Sequence, residues 1–103
     1  MGDIVLQRVT MLSTTAVSTG QWFSVDWRYS PNQTRTVAGT MNASDVMFLE
    51  GTLDDPGVAV VTFVTIESTT GATSFSYNLF GPWGGLRIRK TGTAGDMIVK
   101  GLI

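Results

Sequence analysis

The amino-acid sequence predicts an all-β fold: a single antiparallel β-sandwich, immunoglobulin-like or jelly-roll-like, of seven to eight strands, with a small closed barrel as the second architecture. Three observations carry this expectation. Bulky apolar residues alternate with Ser, Thr and charged residues along most of the chain, the period of two that puts side chains on opposite faces of a strand. Turn-forming Gly, Pro, Asp, Asn and Ser recur at intervals of about 10–13 residues, the rhythm of short strands joined by tight connections. No stretch of useful length carries apolar residues at helical spacing. At 103 residues the chain forms one domain, residues 1–103, large enough for one core without disulfides or metals.

The elements follow in order. Residues 4–12 alternate around Val5, Gln7, Val9 and Met11, and the cluster Ser13-Thr14-Thr15 ends that strand. Beyond Ser18-Thr19-Gly20, the segment from Trp22 to Trp27 places Phe23, Val25 and Trp27 on a core face and Trp22, Ser24 and Asp26 on the other. Tyr29-Ser30-Pro31-Asn32-Gln33 is a turn, and residues 34–41 resume strand composition around Val37 and Thr40. Residues 45–53 form a strand that Asp54-Asp55-Pro56-Gly57 stops. The β-branched run from Val58 to Ile66 is expected to be a buried strand closed by Ser68-Thr69-Thr70-Gly71. Residues 72–80 set Phe75, Tyr77 and Leu79 against Ser74, Ser76 and Asn78. Gly81-Pro82-Trp83-Gly84-Gly85 makes a bend, and residues 86–103 are expected to close the chain as a β-hairpin turning on Gly92-Thr93-Ala94-Gly95. The apolar ending Gly101-Leu102-Ile103 is expected to pack in the core or against a neighbouring subunit.

Composition narrows the chemistry. The chain has no His and no Cys, which removes the commonest general base, the commonest transition-metal ligands and every Ser-His or Cys-His nucleophilic pairing. No enzymatic activity and no cofactor are expected. Charged residues are 15% of the chain, against roughly 25% in an average soluble protein, while Ser and Thr number 23. A net charge of −1 gives no electrostatic case for nucleic acid or a membrane surface as partner. The start, Met1-Gly2-Asp3-Ile4-Val5-Leu6, lacks the positive charge and apolar length of a signal peptide, so synthesis in the cytoplasm is expected. Asn32-Gln33-Thr34 and Asn42-Ala43-Ser44 match the glycosylation pattern by coincidence in such a Ser/Thr-rich chain.

In the second half, Val46-Met47-Phe48-Leu49-Glu50-Gly51-Thr52-Leu53-Asp54 is followed by Phe63-Val64-Thr65-Ile66, by Gly81-Pro82-Trp83, and by Leu86-Arg87-Ile88-Arg89-Lys90-Thr91-Gly92-Thr93-Ala94-Gly95. This succession, over residues 46–103, resembles the small virion structural proteins of tailed bacteriophages. It departs from their pattern where Asp54-Asp55-Pro56-Gly57-Val58 replaces a shorter Asp-Gly turn. The resemblance implies a β-sandwich subunit of a phage particle, a capsid decoration or cement protein located on the virion. Its implied partners are the major capsid protein and copies of itself, as a homotrimer first and a dimer second.

Several residues are candidates for contact with such partners. With Leu86 and Ile88 facing inward, Arg87 and Arg89 share the outer face of one strand, where they can fork onto a neighbour's carboxylates. Replacing both with Ala is expected to leave the fold intact while weakening oligomer or capsid attachment. Trp22, Trp83, Leu102 and Ile103 complete the set, the two tryptophans also being the candidates for a sugar-stacking platform. Such a platform would make the protein a carbohydrate- or receptor-binding module of a tail or fibre. Asp54-Asp55 with Asp45 or Glu50 lacks the spacing of a calcium loop and reads as a turn. Asp26, Glu50 and Glu67 offer no evident acid–base pair in a chain this small.

Overall fold

The computed structural model describes residues 7–25 and 34–103, and within them every regular element is a strand. The strands are β1 (Arg8–Thr14), β2 (Ser18–Thr19), β3 (Phe23–Ser24), β4 (Arg35–Thr40), β5 (Val46–Thr52), β6 (Val64–Thr70), β7 (Ser74–Leu79), β8 (Gly85–Thr91) and β9 (Met97–Leu102). They form two antiparallel sheets, one in the order β1-β9-β4-β7 and the other β2-β8-β5-β6, with β3 also on β8. Since β2 and β3 are two-residue pieces on one neighbour, the nine strands occupy eight positions. The sandwich expected from the alternation is the fold.

Pairing is nested: β1 with β9, β2 and β3 with β8, β4 with β7, and β5 with β6. The chain is therefore one long hairpin, with its apex in residues 53–63, rolled so that successive pairs alternate between sheets. That arrangement is the jelly roll of the two alternatives the alternation left open.

One face of each strand makes the core. Met47 and Leu49 of β5, Leu86 and Ile88 of β8, Val37 of β4, and Met97 and Val99 of β9 are all fully buried. Each such side chain contributes about 1.5–3 kcal/mol, against 0–1 for an exposed ion pair, so the inner faces and not the surface charges decide the fold. In β1 a bulge between Thr10 and Leu12 breaks the alternation and brings both Met11 and Leu12 inside. In β6 a second bulge, opposite Leu49 and Glu50, lets Ile66 pack on the core.

Three expectations are corrected. Residues 86–103 are not a hairpin: β8 and β9 lie in different sheets, and the Gly92–Gly95 connection crosses between them. The cause is a buried polar clamp at that corner. Lys90, 0% exposed, stands on the inner face at the end of β8 and donates from Nζ to the carbonyls of Thr15 (2.8 Å) and Gly92, with Asp45 Oδ2 at 3.3 Å. Asp45, 1% exposed, accepts the N–H groups of Ala94 (3.0 Å) and Gly95 (3.2 Å). Gly92 has φ +90° and no room for a Cβ beside Asp45, so glycine is required there. These bonds hold the chain in a turn that leaves the sheet instead of folding back along β8.

The run from Val58 to Ile66 is not a buried strand. Val58 and Val61 are 84% and 82% exposed, and the strand starts only at Val64, at the edge of its sheet. The Asp54 carboxylate accepts the N–H groups of Val61 (2.7 Å) and Thr62 (2.9 Å), and Thr52 Oγ1 donates to the Thr62 carbonyl (2.6 Å). The loop thus bonds to itself, which takes 53–63 out of the ladder despite its β-forming composition. The strand expected over 22–27 contracts to Phe23–Ser24; Phe23 packs against the core and Val25 is buried as expected, while Asp26 and Trp27 lie outside the described residues, as does Val5.

Candidate interaction site

The outer face of the β8-containing sheet carries the densest cluster of charged and aromatic side chains among the described residues. Strand alternation puts Leu86, Ile88 and Lys90 inside and Arg87 and Arg89 outside. On β5, Glu50 lies directly across from Arg87 and Phe48 directly across from Arg89. Both arginines fork onto that one carboxylate: Arg87 Nε donates to Glu50 Oε1 at 2.7 Å, and Arg89 Nε to Glu50 Oε2 at 3.1 Å. Their carboxylate partner is thus in the same chain, a strand away, rather than only in a neighbouring molecule.

Aromatic rings complete the cluster. The Arg87 guanidinium sits in the notch over Trp22 and Phe63, with its Cζ 4.4 Å from each ring centre, and the two rings meet edge-on at 5.8 Å. Arg89 Cζ lies 3.9 Å over Phe48. Beneath these groups Glu50 is only 2% exposed. Both oxygens of this covered carboxylate accept guanidinium N–H groups, which replace the water that burial removes.

Phe63 also walls a pocket of about 160 Å³ with Gly51, Thr52, Leu53, Thr62, Val64 and Trp83. Trp83 reaches it from the bend before β8, where its Nε1 donates to the Phe80 carbonyl at 3.1 Å. The ring sits over Gly51, where a Cβ would come within 2.8 Å of it, so the absence of a side chain at Gly51 seats the tryptophan against the core. Trp22 and Trp83 are consequently separated, one on the outer face and one packed on the core, with Phe63 between them. They do not form one flat sugar platform.

The two C-terminal candidates lie elsewhere. Leu102 is on the outer face of the other sheet, opposite Arg8 and Thr36, and Ile103 packs on the core while exchanging two backbone hydrogen bonds of 3.0 Å with Gln7. Ile103 thus extends the β1–β9 ladder, and neither residue joins the Arg87 cluster.

No protein-family model matches the chain, and no curated protein or solved structure matches it significantly.

Asp54, Asp45 and Asp55 are bonded within the fold. Asp54 is held below its ordinary pKa of 3.8, first by the Thr62 N–H and then by the Val61 N–H. Asp45 is likewise depressed, the Ala94 N–H being the largest cause, with burial opposing it and Lys90 assisting. Asp55 Oδ1 accepts the Gly57 N–H at 2.8 Å in the turn that stops β5. Sequence reasoning reached Arg87, Arg89, Trp22 and Trp83 but missed Phe48 and Phe63 as ring partners. Phe48 was legible, being on the strand parity of Glu50; Phe63 was hidden because its run was expected to be buried.

Proposed function

We propose that this protein is a structural subunit of a tailed-bacteriophage virion, a capsid decoration or cement protein that attaches to the major capsid protein and to copies of itself. The observation that carries the reading is the placement of exposed apolar surface. Leu53, Val58, Val61, Phe63 and Val64, five of the nine large hydrophobic residues exposed among the described residues, lie on or beside the apex loop. Apolar surface gathered in this way favours burial against another protein. The resemblance over residues 46–103 supplies the kind of particle, and the homotrimer, with a dimer second, is the assembly it implies.

Such a subunit needs no active site. The chain lacks His and Cys, and Asp45, Glu50 and Asp54 are engaged in its own bonds. Binding only to the assembled shell stabilises that shell by mass action, in proportion to the logarithm of one plus the free subunit concentration over its dissociation constant. The place of action on this reading is the capsid surface after synthesis in the host cytoplasm, with neither nucleic acid nor membrane as partner and no cofactor.

The test is solution mass by light scattering, followed by mixing with undecorated phage capsids. A trimer or dimer that sediments with capsids and raises their melting temperature supports the reading. A monomer that ignores capsids and binds oligosaccharides defeats it in favour of the second reading, a carbohydrate- or receptor-binding module of a tail or fibre. That alternative draws on the Trp22–Phe63 ring pair on the outer face.

A further inference from the structure

The geometry points to the outer face around Arg87, Arg89 and Phe63 as a docking site for an extended segment of a protein partner, carrying a carboxylate and a bulky apolar side chain on one face. This deepens the reading above by naming the chemistry the partner presents, and it rests on that reading only for the partner's identity.

Charge supplies the first argument. The cluster holds two guanidiniums and one carboxylate, a local excess of one positive charge in a chain whose net charge is −1. Each arginine commits its Nε–H to Glu50, and its Nη fork is the edge that meets a second carboxylate in paired hydrogen bonds. The contact of Arg87 with both Trp22 and Phe63 holds that fork in place, so less side-chain freedom is lost on docking.

Continuity with the pocket supplies the second. Phe63 touches Arg87 with its ring and walls the pocket beside Trp83, so the positive fork and the apolar recess are separated by the width of one phenyl ring. Side chains at i and i+2 of a strand share a face and stand about 6.6–6.8 Å apart, which suits that separation. The recess takes the apolar side chain and the fork takes the acid. Its mostly apolar wall, with the Thr52 hydroxyl already bonded to the Thr62 carbonyl and the Asp54 N–H, favours a leucine- or phenylalanine-like group over a polar one.

The experiment titrates the isotopically labelled full chain with capped peptides built on Leu-Thr-Asp, Leu-Thr-Asn and Ala-Thr-Asp, and follows amide shifts by NMR. Expected are saturable shifts in β5, residues 62–64 and β8 with the first peptide, weaker binding in high salt, and about tenfold weaker binding by each of the other two, as for loss of one charge-assisted hydrogen bond or one buried side chain. Arg87→Gln keeps the Arg89–Glu50 pair and should erase the preference for Asp over Asn, while Arg89→Gln should leave that preference in place; Phe63→Ala should erase the preference for Leu over Ala. The spectra themselves report whether each variant is folded. Absence of saturable shifts, shifts elsewhere, or equal affinity for the three peptides overturns the inference. If capsids bind while the peptides do not, the docking chemistry is wrong and the subunit reading stands. If the peptides bind while capsids do not, the reverse holds.

Discussion

Replacing Lys90 with Met tests the claim that a buried polar clamp, and not hairpin propensity, sets the end of the chain. Met occupies a similar volume, so the core stays filled and the change isolates the ammonium group. Three contacts of Nζ are lost: the carbonyls of Thr15 and Gly92, and Asp45 Oδ2 at 3.3 Å. Two carbonyls are left without this donor and one carboxylate, 1% exposed, is left without its cation. Removing one partner of a buried pair costs roughly 3–5 kcal/mol. A domain of this length holds about 5–15 kcal/mol in total, so Lys90→Met is expected to remove a large share of the stability. The melting temperature should fall by at least ~12 °C, at about 4–8 °C per kcal/mol. Urea unfolding followed by tryptophan fluorescence measures it. The double variant Lys90→Met with Asp45→Asn should be less destabilised than the sum of the two single variants, since the stranded charge is gone. A loss below about 1 kcal/mol for Lys90→Met, or strict additivity of the pair, would refute the clamp.

The other predictions concern pH, the arginines and the apex loop. Asp45 and Asp54 have depressed folded pKa values, so their contribution is present above the ordinary 3.8 and is lost as pH falls through the lower folded values. The urea midpoint should be flat above roughly pH 5 and decline below it, and Asp45→Asn should flatten the decline. Arg89→Ala leaves Glu50 paired with Arg87 and should cost about 1 kcal/mol, but Arg87→Ala with Arg89→Ala strands a covered carboxylate and should cost about 3 kcal/mol or more by thermal denaturation. Because Glu50 is buried beneath both arginines, the double change is predicted to weaken the fold rather than spare it. Val58→Asp and Val61→Asp, at exposed positions, should alter stability by no more than about 0.5 kcal/mol while weakening attachment to capsids in a sedimentation assay.

The sequence by itself determined the class of fold and the parity of most strands. Alternation puts Leu86, Ile88, Phe75, Tyr77, Leu79 and Val37 inside because a strand's two faces are one residue apart, a constraint that is purely local. It also placed Arg87 and Arg89 together on the outer face. What it could not contain is which strand lies beside which. The Gly92–Gly95 turn is compatible with a hairpin, and only the pairing of Lys90 with Asp45, 45 residues earlier, sends β9 to the other sheet. The Val58–Val61 run has the composition of a buried strand, and only Asp54, bonding its amides, turns it into an exposed loop. Glu50 becomes the carboxylate of both arginines through a strand neighbour 37 residues away. For Asp45 and Glu50 a long-range bond to a buried charge makes the choice, since a charge removed from water must find its partner wherever the tertiary fold provides one, and for Asp54 bonds to amides seven and eight residues on outweigh the β-forming composition of the run.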